Sequence, residues 1–345
     1  MEMDERKIKI LQAIIHDYID TAEPVGSRTI AKKYDLGISS ATIRNEMADL
    51  EEMGYIEQLH TSSGRKPSDK GYRLYVDKFM QLRQLSPMEE YVIRTHILKS
   101  ALYEMDKVIK QATTILAELT GLTSIVKSPS SKNSCIKSIQ LISIDSNNIL
   151  SVIIVNTGII KNNVIRLKNP VSTDVLAKLS NILNVRLNNL TIEEINLEVI
   201  NDLKNDLKDY EDIFNAIIPA LYESLNSIDT SDIYLEGTTN IFNYPEYNDI
   251  QRAKSFLALI DNKDKIKDLI NSNDTINIKI GEENFIEDAK ECTIISSVYR
   301  LRNTPLGTIG VIGPTRMPYS KVISILDKIV KEVNNILNEE YRDEF

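Results

Sequence analysis

The sequence predicts an α+β protein of more than one domain, and three observations support that prediction. At 345 residues, the chain is longer than one small hydrophobic core requires. Residues 1–85 have helical periodicity with one short strand-like and turn-rich stretch. Two groups of strand-like segments, at 136–167 and 275–312, flank a mainly helical stretch. Strands on both sides of a helical block indicate an α+β domain that is interrupted by an insertion.

The N-terminal elements follow a defined order. Asp4 is expected to cap a first helix and Ser27 a second. Ser39 or Ser40 is then expected to cap a third. The next segment alternates like a strand, turns at small polar residues and returns, which predicts a hairpin at 55–67. This order is that of a winged helix-turn-helix, which places its third helix in the DNA major groove and its hairpin beside it.

The third helix is predicted to have an inward and an outward face. Ile43, Met47 and Leu50 recur at helical spacing and are expected in the core. Acidic residues crowd the C-terminal half of the helix and would repel phosphates, so the N-terminal half is the end expected to enter the groove. The candidate base contacts there are Ser40, Ala41, Thr42, Arg44 and Asn45. Arginine suits guanine, asparagine suits adenine, and alanine or threonine can touch a thymine methyl. The alternative is that these residues only form a solvated helix face.

The hairpin and the residues after it supply most of the local positive charge. The whole chain has a formal net charge of −9, and residues 1–80 hold 12 Lys and Arg against 14 Asp and Glu. Between 58 and 83, however, there are six basic residues and only two acids. A basic patch of this size can contact phosphates without a basic protein. The candidate DNA contacts outside the base-reading set are Ser27, Arg28, Ser39, His60, Ser63, Gly64, Arg65 and Lys66.

Two further serines mark the beginnings of helices. Ser68 is expected to cap the helix that follows the hairpin. Ser86 precedes Pro87 and has Glu89 three residues on, which is typical of a capping box. A helical pattern then continues to residue 121, and it fits one helix or two.

Composition and motifs exclude several classes of protein. The most apolar region, 136–160, is interrupted by polar residues and cannot cross a bilayer as one helix. No secretory signal pattern is present, and the two cysteines fit a reducing environment, so we expect a cytoplasmic location. Cys135 and Cys292 lack neighbouring histidines or cations and are expected to be buried. No zinc spacing, phosphate-binding loop or nucleophile–base pair is found, so we expect no metal, cofactor or enzymatic activity.

Several separated motifs resemble one family of bacterial regulators. Residues 24–77 (PVGSRTIAKKYDLGISSATIRNEMADLEEMGYIEQLHTSSGRKPSDKGYRLYVD) are similar to the start of the heat-inducible transcription repressor HrcA family. Residues 235–240 (LEGTTN), 280–284 (IGEEN) and 313–319 (GPTRMPY) resemble later signatures of that family. Together they span nearly the whole chain. Lys66 departs from the pattern, because an apolar residue is expected at that point of the hairpin.

The resemblance implies a domain organisation and a set of partners. It implies a winged-helix DNA-binding domain at 1–85, a GAF-like domain split between 86–170 and 262–345, and an inserted dimerisation domain at 171–261. It also implies an operator, the inverted repeat upstream of chaperone operons called the CIRCE element. A GroEL-type chaperonin is implied as the partner that maintains active repressor. We therefore expect a homodimeric repressor of heat-shock operons.

Alternatives stay open for the dimer contact and the later motifs. The apolar residues that can form the dimer contact, or pack within their own monomer, are Leu176, Leu179, Leu183, Ile213, Ile217 and Leu221. The alternative function is a metabolite-sensing regulator with a small effector in the GAF-like domain. Glu282 and Glu283 are interpreted as a solvated loop pair. Arg316 is interpreted as the structural partner of a carboxylate, with ligand binding as its alternative.

Overall fold

The computed structural model describes residues 3–58, 64–100, 105–128, 135–156, 160–191, 194–229, 233–271 and 275–340. The N-terminal unit has the predicted order of three helices, a hairpin and a further helix. These elements are α1 (Glu5–Thr21), α2 (Ser27–Lys33), α3 (Ser40–Glu52), β1 (Ile56–Gln58), β2 (Arg65–Pro67) and α4 (Asp69–Leu74). A π-helical turn at Tyr75–Phe79 extends the last helix.

Short polar side chains set where these helices begin. Asp4, Ser39 and Ser68 each accept a hydrogen bond from the backbone N–H three residues on, at 2.8, 3.1 and 3.1 Å, so these three predicted caps are confirmed. The prediction for Ser27 was wrong. Gly26 is the N-cap of α2, and its carbonyl accepts the first helical hydrogen bond from the Ile30 N–H at 3.1 Å. Ser27 therefore lies one position too far into the helix to cap it.

Two helices connect the N-terminal unit to the first strand of a larger sheet. They are α5 (Pro87–Ser100) and α6 (Met105–Thr120), and β3 (Thr123–Lys127) follows. The capping box at the beginning of α5 is present, because the Glu89 carboxylate accepts from the Ser86 N–H at 2.8 Å and Ser86 Oγ accepts from the Glu89 N–H at 3.2 Å.

The next segment folds around its own core. Its elements are β4 (Ile136–Ser143), β5 (Asn148–Val155), β6 (Ile160–Arg166), α7 (Thr173–Leu187), α8 (Leu197–Asp206) and α9 (Glu211–Asp229). The three strands form one antiparallel sheet in the order β4-β5-β6. Alternate residues of these strands, such as Ile139 and Ile153, pack with Leu179 and Ile217 of the helices.

The remaining elements complete a five-stranded antiparallel sheet. They are β7 (Ile233–Glu236), α10 (Ile250–Asp261), α11 (Lys263–Ile270), β8 (Asn277–Ile280), β9 (Cys292–Leu301), β10 (Thr304–Pro314) and α12 (Tyr319–Glu340). The strand order is β7-β3-β10-β9-β8. Helices α6 and α12 cover one face, where Val311 is buried, and α10 and α11 cover the other, where Ile312 is buried. Neighbouring side chains of β10 point to opposite faces of the sheet, so this strand contributes apolar side chains to both cores.

The structure corrects the predicted domain boundaries. The predicted strands divide between two sheets, and β4–β6 share a core with α7–α9 rather than with the five-stranded sheet. The inserted unit is therefore 136–229, not 171–261, and α10 belongs to the larger sheet. Strand periodicity shows which face of a strand is buried but not which strand is its partner. The short strands β3 and β7 were not predicted.

Candidate nucleic-acid interface

Helix α3 separates an apolar face from a polar one, as its sequence predicts. Ile43, Met47 and Leu50 are buried against α1 and the hairpin. The residues on the opposite side are exposed; they are Ala41, Arg44, Asn45, Ala48 and Glu52. The helix thus offers its outer surface to a partner, with Arg44 and Asn45 in the half nearest to its N-terminus.

The cap at the beginning of α3 fixes the geometry of this surface. Ser39 has an extended backbone, and its Oγ lies 3.0 Å from the Thr42 Oγ1 as well as accepting from the Thr42 N–H. Ser40 and Thr42 are consequently half-buried at the first turn. The positive end of the helix dipole and the N–H groups of that turn favour a bound anion such as a phosphate.

The acidic residues of α3 are largely compensated by cations from other elements. Lys7 of α1 lies 2.9 Å from the Glu46 carboxylate and 3.1 Å from the Asp49 carboxylate. These hydrogen bonds raise the pKa of Lys7 well above its usual value, so the ammonium stays charged. Arg65 of β2 donates to Glu51 at 2.8 Å. Repulsion of phosphates by this helix is therefore weaker than its sequence indicates.

The hairpin is held against the beginning of α2. Val25 and Arg65 exchange two backbone hydrogen bonds, at 2.8 and 2.9 Å. A Cβ atom at Gly64 would lie 2.5 Å from the Pro24 carbonyl oxygen, so only glycine allows this approach. Lys66 pairs with Glu57 across the two strands at 2.7 Å. The predicted contacts His60 and Ser63 lie outside the described residues.

Four of the six basic residues counted between 58 and 83 have carboxylate partners, so this segment carries less uncompensated positive charge than its sequence indicates. In addition to the pairs of Arg65 and Lys66 described above, Arg73 pairs with Glu283 and Arg83 pairs with Glu89. Lys70 donates to the Met53 carbonyl at 2.8 Å and lies over the Tyr55 ring. The carboxylates Glu51, Glu57, Glu89 and Glu283 all lie outside the 58–83 window that was counted. Local sequence does not show pairing across such distances.

Three exposed cations of α2 and α3 have no carboxylate partner among the described residues. They are Arg28 and Lys32 of α2 and Arg44 of α3. Lys32 was not among the predicted contacts. Helical spacing around the buried Ile30 could have identified Lys32, because that spacing places Thr29 and Lys32 on the exposed side of α2.

The described residues offer little for metal or thiol chemistry. They contain no group of three His, Cys, Asp or Glu side chains that could hold a metal ion. The Nε2 of His16 lies 3.1 Å from the Tyr75 hydroxyl, and the Nδ1 of His96 lies 2.9 Å from the Val92 carbonyl oxygen. Cys292 is buried as expected, whereas Cys135 is half-exposed, so the expectation for Cys135 was wrong. No described helix is both long and apolar enough to cross a membrane.

Comparison with known proteins identifies close relatives over the whole chain. The family model described as "HrcA protein C terminal domain" matches residues 106–323. The chain is 66% identical over 341 residues to the heat-inducible transcription repressor HrcA of Clostridium tetani, covering 99% of this chain and 97% of that protein. It is 58% identical to the corresponding protein of Clostridium acetobutylicum, with 98% of both chains covered. A crystal structure of a protein described only as hypothetical has the same fold, with a TM-score of 0.70, 22% identity, and 98% and 100% coverage.

Proposed function

Because the chain belongs to the HrcA family of heat-inducible transcription repressors, we propose that it represses transcription by binding double-stranded DNA. In this proposal residues 1–85 act as a winged helix-turn-helix, with α3 as the reading helix. The observation that carries it is the outer face of α3, where Arg44 and Asn45 are exposed and have no partner among the described residues. The neighbouring helix α2 adds two exposed cations, Arg28 and Lys32, that have no carboxylate partner among the described residues.

We assign different tasks to the residues around that face. Ser40, Ala41, Thr42, Arg44 and Asn45 contact bases, because side chains of these types match base edges in the major groove. The residues proposed to contact phosphates are Ser27, Arg28, Ser39, His60, Ser63, Gly64, Arg65 and Lys66. Lys32 is added because it is exposed beside Arg28 on α2. Phosphate contacts position the protein, whereas base contacts give sequence preference.

We further propose that the protein works as a homodimer. One reading helix covers only a half-site of a few base pairs, and two-fold pairing doubles the sequence read and requires an inverted repeat. The residues first proposed as the dimer contact do not fit that role. Leu176, Leu179, Leu183, Ile217 and Leu221 are buried inside their own monomer, and Ile213 packs partly against the same core.

The outer face of the three-stranded sheet is a better dimer contact. Leu150 of β5 lies between Ile142 and Val164 in one row of the sheet, and Ile154 lies beside Ile160 in another. Ile142, Ile160 and Val164 are 47, 46 and 58% exposed. No described helix of the inserted unit packs on this face, since α7 and α9 cover the opposite one. We propose a second copy of the chain as its occupant, because exposed apolar side chains are costly in water and a two-fold contact would bury the same residues of both chains.

The proposed heat response involves a chaperonin. We propose that the five-stranded-sheet domain is GAF-like, that the operator is the CIRCE inverted repeat of chaperone operons, and that GroEL-type chaperonin maintains active repressor in the cytoplasm. A monomer with an apolar sheet face exposed is a suitable chaperonin client. Heating lowers the folded fraction and occupies the chaperonin with other proteins, which frees the promoter. DNA binding measured through a temperature ramp, with and without chaperonin, tests this; an identical active fraction in both ramps would refute it.

The operator itself is best found by selection. The purified full-length protein is incubated with a library of inverted repeats in which the half-sites are random, and bound DNA is separated in a gel and sequenced. We expect enrichment of one palindromic sequence. Enrichment that ignores sequence would refute base reading by α3.

Effector binding by the sheet domain has less support. Both faces of the five-stranded sheet are covered by buried apolar side chains, including Ile125 and Ile294 on one face and Ile309 and Val311 on the other. A small-molecule site needs a cavity with converging polar groups instead.

A further inference from the structure

Residues from the later sequence motifs lie against the N-terminal unit. Arg73 of α4 donates through Nε to the Glu283 carboxylate at 2.7 Å, and its Nη2 donates to the Ile278 carbonyl of β8 at 2.6 Å. A second hydrogen bond to Glu283 makes the pair bidentate. Glu283 is therefore not a simple solvated loop residue, as the sequence indicated, but a contact between two domains.

A glycine allows a second contact beside the first. Gly281 has a φ of +53°, and a Cβ atom there would lie 1.8 Å from the Asp69 carboxylate of α4. The same carboxylate accepts from the Glu282 N–H at 3.0 Å. Burial raises the pKa of Asp69 above its usual value, although this backbone hydrogen bond acts in the opposite direction. The turn at 280–284 is thus shaped to receive one side chain of the N-terminal unit.

Arg316 forms a third contact with the N-terminal unit, on α1. Its Nη1 donates to the Ile19 carbonyl in the last turn of α1 at 2.6 Å. Its Nε donates to Glu246 at 2.6 Å, and the guanidinium lies over the Tyr244 ring. The expectation that a carboxylate holds this arginine is confirmed. Between the contacts, the rings of Tyr72 and Tyr319 lie 5.6 Å apart and are buried.

The connection between the two domains is also fixed. Ser320 of α12 accepts from the Arg83 N–H at 2.7 Å and donates to the Gln81 carbonyl at 2.6 Å. One turn further along α12, Ser324 donates to the Arg83 carbonyl at 2.7 Å. Linkers between domains are usually flexible and poor in such contacts. Here the extended segment 80–86 is hydrogen-bonded along a helix of the other domain.

We propose that this junction, formed by Asp69, Arg73, Gly281, Glu283 and Arg316, positions the DNA-reading unit and so sets the half-site spacing that the repressor accepts. The proposal rests on the proposed function, because spacing matters only for a dimer that reads two half-sites. In a two-fold dimer the distance between the reading helices depends on how each unit is attached to its own domain. Rigid attachment gives one favoured spacing, and loose attachment tolerates several.

The test uses the full-length protein and DNA of graded geometry. Inverted repeats carry spacers that change one base pair at a time through one helical turn, and a duplex with a single half-site serves as the reference. The variants are Arg73→Ala and, acting through the linker instead, Ser320→Ala combined with Ser324→Ala. Lys78→Ala is the matched control, since Lys78 is exposed on the next turn and has no ion-pair partner among the described residues. Hydrogen exchange of residues 80–86 reports the junction without DNA.

For the wild type and Lys78→Ala we expect affinity to fall about tenfold or more when the spacer is half a turn too long. In the Arg73→Ala variant and in the double serine variant, we expect the longer spacer to lower affinity only about threefold. Affinity for the single half-site should stay unchanged, and hydrogen exchange at residues 80–86 should be faster. Faster exchange with unaltered spacing preference would overturn the positioning role alone. Tighter binding by the junction variants would also overturn it, since the junction would then be inhibitory. A wild type that binds no repeat would refute the proposed function as well.

Discussion

Arg44 and Asn45 differ from three of the four acidic residues of α3 in one respect. Glu46, Asp49 and Glu51 are held by Lys7 and Arg65, whereas Arg44 and Asn45 have no partner among the residues that the structure describes. An unpaired side chain loses little free energy when it moves to contact a base, whereas a paired side chain must first break its ion pair. The residues available for reading bases are therefore few.

Arg44 and Lys66 allow a direct test of base contact against phosphate contact. We expect Arg44→Ala to weaken operator binding by about 1–3 kcal/mol and to relax preference at one base pair. Lys66→Ala should weaken binding to all sequences alike and reduce the slope of log affinity against log salt by about one. Fluorescence anisotropy at several salt concentrations measures both effects. The reverse pattern would exchange the two roles.

The two cysteines are expected to differ in reactivity. Burial raises the pKa of the Cys292 thiol to about 12, whereas Cys135 is half-exposed. At pH 8 a thiol reagent should modify Cys135 in the native protein and reach Cys292 only on unfolding. Equal rates for both thiols would contradict this, and Cys135→Ser should remove the fast phase.

The same thiol predicts the sign of a pH effect. The unfolded state releases this proton near the usual pKa of about 9, and the folded state keeps it until about 12. Between those values the unfolded state binds fewer protons, so the contribution of Cys292 to the free energy of unfolding falls as pH rises. Cys292→Ala should reduce the slope of stability against pH in that range; an unchanged slope would contradict the assignment.

At the scale of elements, the hairpin and α4 depend on one close approach. A Cβ atom at Gly71 would lie 2.2 Å from the Tyr55 carbonyl oxygen. Alanine is the better helix former by about 1 kcal/mol, but this clash is with backbone and cannot be relieved by a side-chain rotation. We expect Gly71→Ala to destabilise the protein by about 1–3 kcal/mol in thermal unfolding followed by circular dichroism.

Gly26→Ser is the matched control for that experiment. At Gly26 the nearest atom to a new Cβ is 3.9 Å away, and serine supplies the side-chain cap that α2 lacks. The melting temperature should stay the same or rise slightly. If both variants lose stability equally, the close approach at Gly71 is not the cause.

The three-stranded sheet carries the prediction about assembly. Leu150→Lys places a charge in the middle of the row formed with Ile142 and Val164, and should convert the proposed dimer to a monomer. Val185→Lys is the control, because Val185 is 83% exposed on α7, away from that sheet face. Sedimentation velocity distinguishes the two states. A dimer that persists in Leu150→Lys would exclude this face.

The sequence predicted those elements whose causes are local. The caps at Asp4, Ser39 and Ser68, the two faces of α3 and the hairpin depend on neighbouring residues, and they were found where expected. The cap predicted at Ser27 was wrong by one residue. The division of strands between two sheets depends on partners far along the chain, so the boundaries of the inserted unit were wrong. The ion pairs of the basic residues at 58–83 were not predicted for the same reason, since the partner of Arg73 is Glu283.

At the scale of the whole molecule, the structure consists of one large core and one smaller one. The N-terminal unit shares its core with α6, α12 and the larger sheet, whereas the inserted unit has its own. A reading unit that is fixed to the main domain, with a separate unit free to pair, suits a dimer that presents two helices at a set distance.

The most direct test of this account is a titration of the full-length protein against three DNA duplexes at one salt concentration. They are the selected inverted repeat, the same DNA with one half-site scrambled, and a fully scrambled duplex, and fluorescence anisotropy gives affinity and stoichiometry. We predict two chains on the intact repeat, bound about a thousandfold or more tighter than the scrambled duplex, with the half-site between them. Equal affinity for all three duplexes, or one chain on the intact repeat, would contradict it.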